Sequence, residues 1–83
     1  MIRALIVDDE PLARRRLTRA LARMSDVEIV GEAGNIREAA AAIDAQAPNL
    51  LLLDIQMPNG SGFDLLAGLT SPVPAVIFVT AFD

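Results

Sequence analysis

Leu50-Leu51-Leu52-Leu53-Asp54-Ile55-Gln56-Met57-Pro58-Asn59-Gly60-Ser61-Gly62 is the stretch whose reading decides the fold. Four successive large aliphatics allow no polar face, so Leu50–Asp54 reads as a strand covered on both sides, the central strand of a parallel sheet. The run stops at an acid. Beyond it, Pro58 to Gly62 is a loop, with two glycines able to take positive φ.

Outward from this strand, apolar runs alternate with helical patterns, which predicts a βαβαβαβ chain and a mainly parallel sheet. The first strand is Arg3–Val7, followed at once by Asp8, Asp9 and Glu10. Pro11 suits the first turn of a helix, where its missing N–H costs nothing. Ala13, Leu17, Ala20, Leu21 and Met24 then form one apolar stripe to about Met24. Val27–Glu32 alternates apolar and polar residues and reads as an edge strand. Asn35 with Glu38 forms a capping-box pattern ahead of a second helix lined by Ile36, Ala39, Ala40, Ile43 and Ala47, which Pro48 helps close. A short third helix places Phe63, Leu66 and Leu69 on its buried side. Pro72 and Pro74 lead into a fourth strand, Ala75–Thr80.

Parallel strands bring their carboxyl ends to one edge, where open α/β sheets place their ligands. Asp8, Asp9, Asp54 and Thr80 should therefore meet in one pocket. Crowded carboxylates repel one another unless a cation sits among them. Mg²⁺ is the simplest occupant, a hard ion that takes oxygen ligands and keeps waters for a phosphate partner. Asp54 is the candidate nucleophile, since a carboxylate attacking phosphorus forms an acyl phosphate. The metal screens the approach of one anion to another. Asp8 and Asp9 supply a direct and a water-mediated ligand, Gln56 offers its backbone carbonyl, and Thr80 offers a hydroxyl to a phosphoryl oxygen.

Composition narrows the classes. Eighty-three residues make at most one domain. With no cysteine there is no disulfide framework, thiolate metal site or thiol nucleophile, which agrees with a reducing cytosol. No apolar run is long enough for a membrane span or a signal peptide. A formal charge of −4 argues against nucleic-acid binding by this segment. All seven basic residues are arginine. Five of them, Arg14, Arg15, Arg16, Arg19 and Arg23, fall on the first helix and read as a solvated face, with a partner surface as the alternative.

Val7-Asp8-Asp9-Glu10-Pro11, Leu52-Leu53-Asp54-Ile55-Gln56-Met57-Pro58-Asn59-Gly60-Ser61-Gly62 and Phe78-Val79-Thr80-Ala81 together resemble the receiver domain of two-component response regulators. The resemblance runs from end to end. It implies a flavodoxin-like (CheY-like) open parallel sheet of order 2-1-3-4-5, expected here as an incomplete 2-1-3-4, and a signalling switch rather than an enzyme, phosphorylated on one aspartate by a sensor histidine kinase. By position Asp54 is similar to the phosphoacceptor, Asp9 to the direct Mg²⁺ ligand and Asp8 to the water-mediated one. Gln56 matches the carbonyl ligand, Thr80 the switch hydroxyl, and Ala81 the small residue leaving room for the phosphoryl group. Pro58 and Gly62 match the loop that shapes the pocket. The Arg-rich first helix and the ending Thr80-Ala81-Phe82-Asp83 resemble LytTR-type transcription regulators, so the expected role of the parent is control of transcription in the cytoplasm.

The family pattern continues with a helix, a fifth strand bearing a lysine and an aromatic residue, and a final helix. These 83 residues contain none of the three and no lysine, and they read as the N-terminal part of a receiver, cut after its fourth strand. Two other readings compete. A haloacid-dehalogenase-type phosphotransferase wants a second acid two residues after the nucleophile, where Gln56 stands. A signalling-incompetent fold fragment would self-associate through strand four, whose unpaired edge is a template for another chain.

Overall fold

A computed structural model describes residues 1–57, 60–69 and 75–79. Among these residues, six strands and three helices follow in the order β1 (Ile2–Val7), α1 (Pro11–Ala22), β2 (Val27–Ala33), α2 (Ile36–Gln46), β3 (Leu50–Asp54), β4 (Gln56–Met57), β5 (Gly60–Ser61), α3 (Gly62–Gly68) and β6 (Val76–Val79). The main sheet has order β2-β1-β3-β6, and all of its pairs are parallel. This is the expected 2-1-3-4 arrangement, with the alternating β2 at an edge. The short β4 and β5 form a separate antiparallel pair, of which β5 falls inside the stretch from Pro58 to Gly62 that the sequence predicts as loop.

β1 lies between β2 and β3, and Ala4, Leu5, Ile6 and Val7 are all fully buried. In register with it, Leu5 stands beside Leu51, Ile6 beside Leu52 and Val7 beside Leu53. Because side chains alternate across a sheet, Leu5, Val7, Leu51 and Leu53 share one face. They form a core with Ala39 and Ile43 of α2, Leu65 of α3 and Met57 of β4. The other face carries Ala4, Ile6 and Leu52 and receives α1. Opposite placement of α1 and α2 follows from right-handed crossovers that run in opposite directions along the sheet.

Three details correct the sequence reading. The half-buried face of α1 is Ala13, Arg14, Leu17, Thr18 and Leu21, rotated from the expected stripe, so Ala20 is exposed and Met24 lies beyond the helix. No residue of α1 is fully buried. In α3 the buried anchor is Leu65, while Phe63 is 57% exposed and meets Phe78 of β6 with ring centroids 4.9 Å apart. Ala47 does not line α2; it is the C-cap, in the left-handed region at φ 47°. At the other end of α2 the capping prediction holds, with the Asn35 side chain accepting from Glu38 N–H at 2.8 Å. Glu38 Oε1 reaches back to Gly34 N–H at 2.8 Å.

The residues Pro72 and Pro74, read as the lead into the fourth strand, lie outside the described residues, as does Thr80 at its end.

Candidate functional site

Two adjacent strands set the site. β1 and β3 run parallel in register, so the residues after Val7 and Leu53 emerge together at the carboxyl edge. Asp8, Asp9 and Asp54 each offer a carboxylate oxygen there, and these three atoms lie within 4.8 Å of one another. Asp8 is buried at 8% exposure, Asp54 is half-buried and Asp9 is exposed. The pocket is therefore graded, with one acid sunk into the sheet edge and one open to solvent.

Local hydrogen bonds hold the buried acid in place. Asp8 N–H donates to Ala33 O at 3.0 Å, extending the β1–β2 ladder by one residue. Asp8 Oδ1 accepts from Glu10 N–H at 2.9 Å, a tight Asx-type bond that turns the chain into α1. α1 begins without a side-chain cap of its own at Glu10. Its positive dipole end nevertheless sits directly after three acids, where negative charge is favoured. Arg14 of α1 donates from Nη1 to Asp8 O at 2.5 Å.

On the β3 side, Gly62 packs where no side chain would fit. A Cβ there would stand 2.8 Å from Asp54 O and 2.9 Å from Leu53 Cγ. Its N–H donates to Ile55 O at 2.7 Å, folding the loop back onto the end of β3. Gly62 is thus needed for close approach, rather than for the positive φ read from the sequence. Gln56 belongs to β4 and pairs through its backbone with Ser61. β6 pairs Val79 with Asp54 and so ends at the same edge. Pro58, Thr80 and Ala81, the other expected pocket residues, lie outside the described residues.

The donor set suits a small hard dication. Three carboxylate oxygens are the ligand type Mg²⁺ takes. Bonds of about 2.0–2.1 Å place two of its ligands at most about 4.2 Å apart. A 4.8 Å cluster needs only a slight closure, or one bridging water, to meet that span. Arg14 is the residue that the sequence reading missed, having grouped it with the solvated arginines of α1. Nothing local marks it, because its partners Asp8 and Glu32 are fixed only once β1 and β2 pair.

An open parallel sheet with an acid cluster at its carboxyl edge, and a glycine-tight loop beside Asp54, is the arrangement that the comparisons with known proteins also point to. Residues 4–83 match the response regulator receiver domain family, and the chain belongs to it. The whole chain aligns at 49% identity over 85 positions with the transcriptional regulatory protein BtsR of Escherichia coli K12, covering 35% of that protein. It is 48% identical over 84 positions to an uncharacterized response regulatory protein of Shewanella oneidensis, of which it covers 36%. The chain spans about a third of the length of these curated relatives. Among solved structures, the receiver domain of the putative response regulator NarL from Mycobacterium tuberculosis superposes with a TM-score of 0.86 at 36% identity, over 99% of this chain and 68% of that one. The MaeR response regulator bound to beryllium trifluoride gives 0.88 at 28% identity, over 100% of this chain and 70% of that one.

Proposed function

We propose that this chain is the phosphoacceptor part of a two-component receiver, with Asp54 taking a phosphoryl group from a sensor histidine kinase. The convergence of Asp8, Asp9 and Asp54 within 4.8 Å carries this reading. Asp8, Asp9, Asp54 and the Gln56 carbonyl would hold Mg²⁺, whose charge offsets that of the phosphoryl oxygens. A carboxylate oxygen of Asp54 attacks phosphorus in line; its O–P bond forms as the P–N bond to the kinase imidazole breaks, and the imidazole leaves with that electron pair. Half-burial limits water around Asp54, which strengthens the pull between the anion and a bound dication. Gly62 keeps the loop against the Asp54 carbonyl, so the nucleophile is presented from a fixed backbone. Thr80 would donate its hydroxyl to the phosphoryl group, Ala81 would leave it room, and Pro58 would shape the loop.

Control of transcription by a longer parent, in the cytoplasm, is the setting that the BtsR likeness favours. No helix among the described residues is long and apolar enough to cross a membrane. Incubation with Mg²⁺ and a small acyl phosphate should add one phosphoryl group by intact mass, and peptide mapping should place it on Asp54. Asp54→Asn should take up none. A label on Asp8 or Asp9 with Asp54 clean would refute the assignment.

One further observation favours self-association of the 83-residue chain. β6 pairs only with β3 among the described residues, and Ile77 and Phe78 on it, with Phe63 of α3, are 51%, 37% and 57% exposed. An apolar strand edge is a template for a second copy. Sedimentation over a concentration series should show dimers or larger species; a folded monomer at high micromolar concentration would count against it.

A further inference from the structure

Of the five arginines at the first helix, Arg15, Arg16, Arg19 and Arg23 are exposed, but Arg14 turns inward with its side chain only 21% exposed. Its guanidinium spans two strands. Nη1 donates to Asp8 O at 2.5 Å, while Nε lies 3.3 Å from Glu32 Oε1 on β2. Gly34 leaves the room for it, since a Cβ at that position would stand 3.3 Å from Nη1.

The acceptor is the informative part. The carbonyl of Asp8 belongs to the rigid peptide plane that joins Asp8 to Asp9. Its orientation sets the torsions on either side, and those torsions set the relative directions of the two carboxylates. The N–H of Asp8 is already held by Ala33 O, and its Oδ1 by Glu10 N–H. Arg14 supplies the remaining constraint. Glu32 in turn holds the guanidinium on the carbonyl, so that the carboxylate oxygens stay available to a cation. A planar fork reaches both acceptors at once, which a lysine ammonium does less well.

We propose that Arg14 is a positioning residue for the Asp8–Asp9 acidic pair, locking their shared peptide so that both carboxylates converge on one cation. This rests on the reading of Asp8, Asp9 and Asp54 as an Mg²⁺ site. Titration of Mg²⁺ into the chain, followed by the amide NMR shifts of Asp8 and Asp9, tests it. Arg14→Met should weaken apparent Mg²⁺ affinity about tenfold, as loss of an outer-shell partner does. Arg14→Lys should recover part of that loss. Leu17→Ala, which removes packing of α1 without touching the acids, should lower the melting temperature and leave Mg²⁺ affinity as it was. Unchanged affinity in Arg14→Met would overturn the proposal, as would equal losses in Arg14→Met and Leu17→Ala. Absence of saturable shifts in the unsubstituted chain would overturn the cation site itself, and the positioning role with it.

Discussion

At their amino ends β1 and β3 are joined by matched partners, whereas at their carboxyl ends the same two strands gather like charges. Arg3 N–H donates to Asn49 Oδ1 at 2.8 Å, and Asn49 N–H returns a bond to Arg3 O at 2.9 Å. The Arg3 guanidinium adds a bond to Gln46 O at 2.5 Å and an exposed ion pair with Glu28 at 3.6 Å. At the opposite edge three carboxylates crowd within 4.8 Å. One strand pair thus keeps its stabilising polar bonds at one end and accepts electrostatic cost at the other, where that cost makes room for a cation. The apolar rungs between them, Leu5 to Leu53, hold the two ends in fixed relation.

Substitutions at each end should separate the two. The largest effect is expected from Gly62→Ala, whose methyl would stand 2.8 Å from Asp54 O. Overpacking of this kind costs about 1–3 kcal/mol, and the displaced loop should also slow phosphoryl uptake at Asp54. Urea unfolding and intact-mass assays read both; normal uptake at full stability would show the close approach to be dispensable. Asn49→Ala should come next, losing about 0.5–1.5 kcal/mol through the Arg3 N–H left without its acceptor. Mg²⁺ affinity should not change, and a parallel loss of affinity would mean that the two ends are not independent.

Asp9→Asn should act in the opposite direction. Without Mg²⁺ and at low ionic strength, removal of one like charge should stabilise the fold by less than about 1 kcal/mol. Adding Mg²⁺ should erase or reverse that gain, because the unsubstituted cluster then has its counterion. An advantage that persists at saturating Mg²⁺ would argue against a dication among these acids. The smallest effect belongs to Ala47→Gly beside the amino-end bonds. A non-glycine residue in the left-handed region costs about 1–2 kcal/mol, part of which glycine's extra chain entropy cancels, so a net gain of about 0.5 kcal/mol is expected in the unfolding midpoint.

The pattern of legibility follows the range of the contacts involved. Leu50–Leu53 announced a strand covered on both faces, and the alternation of Val27–Glu32 announced an edge, because burial of a strand is written in its own residues. Asp8, Asp9 and Asp54 could be placed together because parallel topology alone sends strand ends to one edge. Arg14 could not be told from its neighbours, since what distinguishes it lies across the sheet at Glu32 and in the carbonyl of Asp8. The third helix misled for a related reason: Phe63 looked like its anchor, but Leu65 meets the core and Phe63 instead meets Phe78. Ala47 was invisible as a cap because glycine is the usual signal there.

The central position of β1 also has a meaning in time. Ala4 pairs with Leu50, so 50 − 4 = 46 positions separate two strands that lie side by side. On a ribosome adding about 5–20 residues each second, that interval lasts roughly 2–10 s. Throughout it, Ala4–Val7 is an apolar segment whose β3-facing edge has no partner yet, the kind of exposure that chaperones bind. Burial of β1 is thus a late event for a strand made early. Pulse-labelled hydrogen exchange during refolding should show the amides of Leu5–Val7 gaining protection together with those of Leu51–Leu53; protection of β1 well ahead of β3 would contradict this order.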